Sequence, residues 1–595
     1  MLAKSLEYPF DIPLLQKKKR AIKKELLASG KNFLSKKIAI LGGSSTSEIK
    51  DMLELFLLKS GIEPVFYESE FNKYYEDVIF DGEELKKFKP DLIYLHTSYV
   101  NIMESPSLTD SAEDVEVKLM RLKEKFTSIW NKIQKDFNCI IVQNNFELPV
   151  YRSLGNLDFS HTAGLVNFVN KINIIFSQNA QQRAGFYIND INYLAARIGL
   201  EKWHDLGVWY SYKYALSYDA IPFLAHNLSN IIAAVYGLAK KCLVLDLDNT
   251  LWGGIIGDDG VQNIKIGNET ALGEAHAGLQ KYALDLKNRG VILAVCSKNE
   301  AENALEGFLH PDSVLTKDDF TSFKANWDPK HLNIKQIAKE INIGIDSLVF
   351  LDDNPAEREI VSSQLPEVSV PDIGNNIENF ASYLDRAGYF EPISLLVDDL
   401  QRAKFYEGNN KREELESKFS DYGEFLSSLQ MVAEIEHFSP VYLDRITQLT
   451  NKTNQFNLTT KRYALPEMVA LSEDSNAITL YGRLTDKFGD NGLITVVAGT
   501  IREKELHIDL WLMSCRVLKR DMEFAIFDQL VSISLKKRLE KIVGYFYKTS
   551  KNGMVSKHYE SLGFELINKD KDGNSTWDFK IDPCYKNKNK YIKVA

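Results

Sequence analysis

Two aspartates one residue apart, Asp246 and Asp248, end an apolar run within KCLVLDLDNTLWGGIIGDDG, residues 241–260. In extended chain, positions i and i+2 point to the same side, so two ionised carboxylates there repel unless a cation lies between them. A divalent metal is the simplest remedy. A capping aspartate in an ordinary βα turn explains one acid, but not a pair followed by Asn249 and Thr250. Three further stretches carry matching groups. VILAVCSKN runs apolar into Ser297 and Asn299, NWDPKHLNI supplies Lys330 just after Pro329, and SLVFLDDNPAERE ends in a second acid pair, Asp352 and Asp353. Acids, a hydroxyl, an amide and a lysine at such points suit the handling of a phosphoryl group beside a metal.

The elements that position these groups follow from the apolar patterning. Cys242 to Leu245 is apolar at consecutive positions, as expected for a strand buried on both faces of a parallel sheet. The acids then stand at its carboxyl end, where open α/β sheets bind ligands. Roughly fifty residues separate Asp246 from Ser297, and a similar number Ser297 from Asp352, which the core strands and helices consume. No cap domain fits either interval. An uncapped site stays open, which favours a large substrate or one presented by another protein, with the loop Trp252 to Gly267 as the only local cover.

The order of acid pair, strand-end hydroxyl, lysine and second acid pair resembles the haloacid dehalogenase (HAD) superfamily of phosphotransferases. The resemblance implies a Mg²⁺ site built from Asp246, Asp248, Asp352 and Asp353. It implies that Asp246 attacks phosphorus, that Asp248 protonates the leaving oxygen and later deprotonates water, and that Ser297, Asn299 and Lys330 hold the phosphoryl oxygens. Lys324 is the competing lysine, and Lys330 is favoured by the family pattern. At finer grain LDLDNTLWGGIIGDDG, NWDPKHLNI and FLDDNPAERE resemble the FkbH-like subgroup. That subgroup is associated with taking a glyceryl unit from 1,3-bisphosphoglycerate, removing its phosphate, and loading it on an acyl carrier protein.

At 595 residues with 44% hydrophobic content the chain is long enough for three to four globular domains. A formal net charge of −10 argues against a nucleic-acid-binding body, despite basic stretches at 17–24 and 586–593. Acidic residues and Pro interrupt the first twenty residues, and no run nears the length of a membrane span, so the expectation is a cytoplasmic protein without a transmembrane segment. Five scattered cysteines form no disulfide or metal framework.

The expected fold class is α/β and multidomain. A charged helix occupies 1–35. Residues 36–237 alternate strand and helix as a parallel α/β domain, and 238–380 form the capless HAD-like domain. A helical connector follows at 381–428, then an α+β acyltransferase-like domain at 429–584 and a basic tail at 585–595. Within the first domain, Gly42-Gly43-Ser44-Ser45 and Asn144-Asn145 resemble blocks of SGNH-type hydrolases. Their late Asp-x-x-His is missing, since Trp203-His204-Asp205 has the wrong order, and a non-catalytic SGNH-like or flavodoxin-like scaffold is favoured.

The last domain ends in NGMVSKHYESLGFEL, which resembles GNAT-type acyltransferases. Residues 516–521 fall where those proteins place a pyrophosphate loop. Lys519 and Asp521 stand where small residues are expected, which disfavours simple CoA binding, and Arg516, Lys519 and Arg520 suit an acidic carrier surface or a phosphorylated acyl group. Cys515 beside Arg516 is either a thiol that carries the acyl group as a thioester or an ordinary core cysteine, with His507 and His558 as candidate bases. The leading expectation is a HAD-type phosphatase coupled to acyl transfer, with a small phosphorylated substrate and an acyl carrier protein as partners. The alternatives are a plain phosphohydrolase whose last domain recruits substrate, and a non-enzymatic assembly protein.

Overall fold

The computed structural model describes residues 2–30, 32–80, 82–396, 405, 408–409, 411–412, 415–514, 517–549 and 551–595. They form two compact units, Met1–Val235 with Ala464–Glu467, and Tyr236–Tyr463 with Met468–Ala595. The expected fold class is the observed one, parallel α/β followed by a mixed α+β sheet.

The first unit starts with the helix Ile12–Leu27, capped by the Asp11 side chain and burying Leu15, Ile22 and Leu26. Lys19 of this helix pairs with Glu48 (2.6 Å) and Asp51 (3.2 Å), on the helix Ser47–Lys59. Behind lie five parallel strands: β1 (Leu34–Gly42), β2 (Ile62–Glu68), β3 (Leu92–His96), β4 (Ile140–Asn144) and β5 (Phe186–Asn189). Their order is β2-β1-β3-β4-β5, the order of flavodoxin-type sheets, whose ligand crevice lies between β1 and β3 at the carboxyl ends.

The second unit holds two sheets. The first is parallel, in the order β8-β7-β6-β9, formed by β6 (Cys242–Leu245), β7 (Ile292–Ser297), β8 (Ser322–Ala325) and β9 (Leu348–Leu351). Alternate residues feed two cores. Leu243, Leu245, Leu293, Val295, Val349 and Leu351 pack on one face, while Cys242, Val244, Ile292, Ala294, Leu348 and Phe350 pack on the other. This two-sided burial is why the strand sequences read as unbroken apolar runs. Between β6 and β7 the described residues form only a short turn of helix, Ile256–Asp259, and the helix Ala271–Asn288, so no separate cap intervenes there.

The other sheet has eight strands: β10 (Met431–Glu436), β11 (Ala477–Asp486), β12 (Gly489–Arg502), β13 (Glu505–Met513), β14 (Lys541–Phe546), β15 (Glu565–Lys569), β16 (Ser575–Lys580) and β17 (Ile592–Val594). It runs β15-β16-β14-β13-β12-β11-β10-β17. β13 and β14 are parallel and pair only from Glu505–Lys541 to Ile508–Gly544. Beyond that point residues 456–458 fill the gap. Leu458 N donates to Trp511 O, Met513 N donates to Phe456 O, and Tyr547 N donates to Leu458 O.

The stretch 585–595, read from sequence as a basic tail, instead carries the edge strand β17, parallel to β10. Asp528 anchors it by accepting from Tyr585 Oη (2.6 Å), Lys588 N (3.0 Å) and Asn589 N (2.9 Å). Ile592 points inward while Lys593 faces out, so the lysines protect a sheet edge. Much of the charged stretch 400–419 lies outside the described residues.

Candidate active site

The carboxyl ends of β6, β7 and β9 converge, as their shared parallel direction requires. Asp246 follows β6, and its N–H donates to Leu351 O at the end of β9 (3.0 Å). Asn249 then takes a left-handed conformation (φ 55°), which asparagine tolerates, and turns the chain so that Thr250 faces β9. Thr250 Oγ1 donates to Asp353 Oδ1 (3.3 Å) and accepts from Asp353 N (3.2 Å). Asn354 N donates to Asp352 Oδ1 (2.8 Å), while the Asn354 side chain caps the helix Pro355–Gln364. Arg358 from that helix clamps both acids from behind, donating to Asp352 O (2.8 Å) and Asp353 O (2.7 Å).

Asp246, Asp352 and Asp353 bring carboxylate oxygens within 4.8 Å of one another. Lys330, the first residue of the helix Lys330–Ile341, is 4% exposed and points into this cluster, 2.9 Å from Asp246 Oδ1 and 2.6 Å from Asp352 Oδ2. Lys324 pairs instead with Glu340, so of the two lysines it is Lys330 that joins the acids. Burial opposes its charge, but Asp246 and Asp352 outweigh burial and hold its pKa above the ordinary range. Burial and the charge of Asp246 push the carboxyls of Asp352 and Asp353 up. Asp246 Oδ1 is buried and takes no aligned hydrogen bond. An all-oxygen cluster of three acids, whose negative charge exceeds the single positive charge of Lys330, fits a hard divalent cation such as Mg²⁺.

Asp248 stands apart from that trio. Its Oδ1 accepts from the indole of Trp252 (2.9 Å) and from Ile256 N (3.1 Å), and its Oδ2 accepts from Asn299 Nδ2 (2.9 Å). Asn299 also donates to Ser297 Oγ (3.3 Å), which joins the end of β7 to the acid pair. Burial raises the Asp248 carboxyl. The loop that carries it is rigidly held: Trp252 is fully buried, packs edge-on to Phe308 at 5.3 Å, and comes so close to Gly307 that a Cβ there would lie 2.5 Å from the indole. His276 and Gln280 bind the carbonyls of Thr250 and Leu251 (both 2.9 Å).

Trp252, Thr250 and Arg358 were all within the stretches that flagged the site, yet nothing in the sequence assigned them these contacts. Cys515 and Arg516 lie outside the described residues. His507 bonds to the Tyr545 hydroxyl (2.7 Å). His558 is 7% exposed between Phe456 and Trp511, and burial drops its pKa to about 3. Lys519 (φ 66°) and Asp521 (φ 62°) adopt the left-handed backbone for which glycine is the usual choice. In the first unit, His204 Nε2 is bonded to the Leu148 carbonyl (3.3 Å) and Asp205 caps the helix Leu206–Tyr212. Ser44 Oγ is buried without a hydrogen bond.

A parallel sheet with two acids after the central strand, a Ser-Asn pair after one neighbour, and a lysine plus two acids completing the ring defines a phosphatase domain of the HAD class. Residues 37–233 match the family of FkbH N-terminal domains. The crystal structure of the N-terminal part of protein BF1531 from Bacteroides fragilis, containing a phosphatase domain complexed with Mg, is 30% identical. The match covers 64% of this chain and 99% of that one, with a TM-score of 0.59. The chain belongs to this family of FkbH-like, phosphatase-containing proteins. The ribosomal-protein-S18-alanine N-acetyltransferase of Escherichia coli also aligns, at 12% identity over 26% of this chain and 98% of that one, with a TM-score of 0.21. No curated protein matches the chain.

Proposed function

We propose that the chain is a phosphatase acting at Asp246, coupled to transfer of a glyceryl-type acyl group onto an acyl carrier protein. The observation that carries the first half is the convergence of Asp246, Asp352 and Asp353 around buried Lys330, with Asp248 held to one side by Trp252 and Asn299. A carboxylate oxygen of Asp246 attacks phosphorus and displaces the ester oxygen, which takes its proton from Asp248. Water then attacks the aspartyl-phosphate, Asp248 removes its proton, and phosphate leaves. The raised pKa of Asp248 suits a group that must carry a proton and then accept one.

Ser297 and Asn299 donate to the phosphoryl oxygens, and Lys330 holds fixed positive charge against them. Asp246, Asp352 and Asp353 would hold Mg²⁺, the ion present in the BF1531 structure. When bound, it supplies Lewis-acid withdrawal of charge from the phosphoryl group.

The second half rests on the family resemblance. The thiolate of Cys515 attacks the acyl carbon of an acyl phosphate such as 1,3-bisphosphoglycerate. The C–O bond to phosphate breaks and a thioester forms, from which the carrier's thiol takes the acyl group. A carrier-borne thiol, not CoA, is favoured because residues 456–458 satisfy the backbone groups where β13 and β14 part, and because Lys519 and Asp521 replace small residues.

Incubation with 1,3-bisphosphoglycerate, Mg²⁺ and holo carrier, followed by intact mass of the carrier, tests the whole reading. The expected result is a glyceryl gain that Cys515→Ser abolishes. Phosphate release that Asp246→Asn abolishes but Cys515→Ser leaves intact, with no mass gain from any small acyl phosphate, would leave a plain phosphohydrolase.

A further inference from the structure

A second cavity lies at the opposite ends of the strands that carry the acids. Lys241 immediately precedes β6, Ile292 opens β7, and 342–347 lead into β9. They form one wall of a space of about 490 Å³ whose other wall comes from the helix Leu443–Lys452, the segment 453–456, Ser514 and Lys551. A four-residue strand spans roughly 13 Å. No residue of the acid cluster lines this space.

The lining is cationic, with Lys241, Arg445, Lys452 and Lys551 against Asp346 and Glu367. Asp346 is already engaged by Lys551. Burial would raise its carboxyl, yet Lys551, Lys240 and Lys241 outweigh burial and hold it below the ordinary range, which reports a positive local field. Behind Asn454, which lines the cavity, Arg462 donates to Asn454 Oδ1 and to Thr450 O (3.0 Å), and forms no ion pair among the described residues. Burial alone pulls its guanidinium down to about 10. Gln455 also lines the cavity, and its Oε1 is buried without a partner. Arg462 is half-buried, and a partly desolvated cation without a carboxylate favours an anion nearby.

We propose that this cavity binds a small organic phosphate, at a site separate from the acid cluster of Asp246. The volume exceeds what a bare phosphate needs and lies in the range of small-molecule pockets. Because Lys241, Ile292 and 342–347 come from the four-stranded sheet and its loops, while Ser514 and Lys551 follow β13 and β14, an occupant would touch the base of the first sheet and segments that leave the second. The inference stands independently of the reaction proposed for Asp246.

The test is calorimetric titration of the full chain, in EDTA to prevent turnover, with 3-phosphoglycerate, glycerol 3-phosphate and inorganic phosphate as probes. The expected result is a Kd below about 1 mM for at least one of the two organic phosphates. That Kd should rise at least about tenfold in both Lys452→Glu and Gln455→Glu and stay unchanged in Ser297→Ala. Hydrolysis of p-nitrophenyl phosphate with Mg²⁺ should persist in both cavity variants, which also reports their folding. Gln455→Glu is nearly isosteric and carries the test alone if Lys452→Glu does not fold. Absence of binding by every probe, binding of inorganic phosphate alone, binding lost in Ser297→Ala, or binding unaffected by either cavity variant would each overturn the site.

Discussion

Replacing Lys330 by methionine removes the one side-chain cation that touches Asp246 and Asp352 among the described residues, and keeps most of the side chain's bulk. Three carboxylates with oxygens within 4.8 Å would then face one another. At the effective dielectric that best describes protein sites, two like charges at that distance repel by about 3 kcal/mol. Breaking a buried ion pair from one side costs about 3–5 kcal/mol in general, so the metal-free variant should lose stability of that order.

Mg²⁺ should return much of that loss, because the divalent ion neutralises the same acids. The metal should therefore stabilise Lys330→Met more than it stabilises the natural chain. Activity should still fall about 10²–10³-fold, the usual effect of removing one fixed stabilising group from a developing charge. Urea unfolding with and without Mg²⁺, read by hydrogen exchange at β6 and β9, measures the first effect, and steady-state hydrolysis of p-nitrophenyl phosphate measures the second. Equal stability in EDTA together with activity within about threefold of the natural chain would refute the assignment of Lys330 as the internal counter-ion.

Asp248→Asn should slow hydrolysis of alkyl phosphates by about 10²–10⁴-fold but affect p-nitrophenyl phosphate far less, because a nitrophenolate leaves without a proton; equal losses for both would remove Asp248 as the acid. Glu147 is fully buried and burial lifts its carboxyl from 4.5 to about 7, so the native first unit keeps a proton that the unfolded chain releases. Its contribution therefore falls as pH rises from 4.5 to 7, and urea unfolding of Glu147→Gln should lack that part of the decline, an effect of at most about 3 kcal/mol. Gly307→Ala forces a methyl against the Trp252 indole and should destabilise the second unit by about 1–3 kcal/mol, with faster exchange in the 252–267 loop; an unchanged loop would show that the indole shifts freely.

The acid pairs were legible because β6 and β9 are buried on both faces, so each apolar run stops abruptly where the polar end begins. The same contrast marked Ser297 at the end of β7. The choice of Lys330 over Lys324 depended on the family pattern, since both lysines sit near plausible strand or helix ends and only folding shows which one is buried. The indole bond from Trp252 to Asp248 depends on the left-handed turn at Asn249 and on the gap left by Gly307, features with no local signature. Residues 585–595 misled for another reason: lysines dominate their composition, while the pairing that orders them comes from Asp528 and β10.

The strip at 456–458 sets a timetable for the last sheet. Its partners are Trp511 and Met513 on β13 and Tyr547 after β14, so its set of bonds is not complete until the chain has grown past β14. At synthesis rates of about 5–20 residues per second, roughly ninety residues of growth put its last bond, to Tyr547, about 4–18 s behind it. During that interval β13 can pair with β12 but not complete its other edge. The eight-stranded sheet is thus expected to close late and in one step, and a ribosome stalled between β13 and β14 would display an unfinished edge open to chaperones or to a second nascent chain.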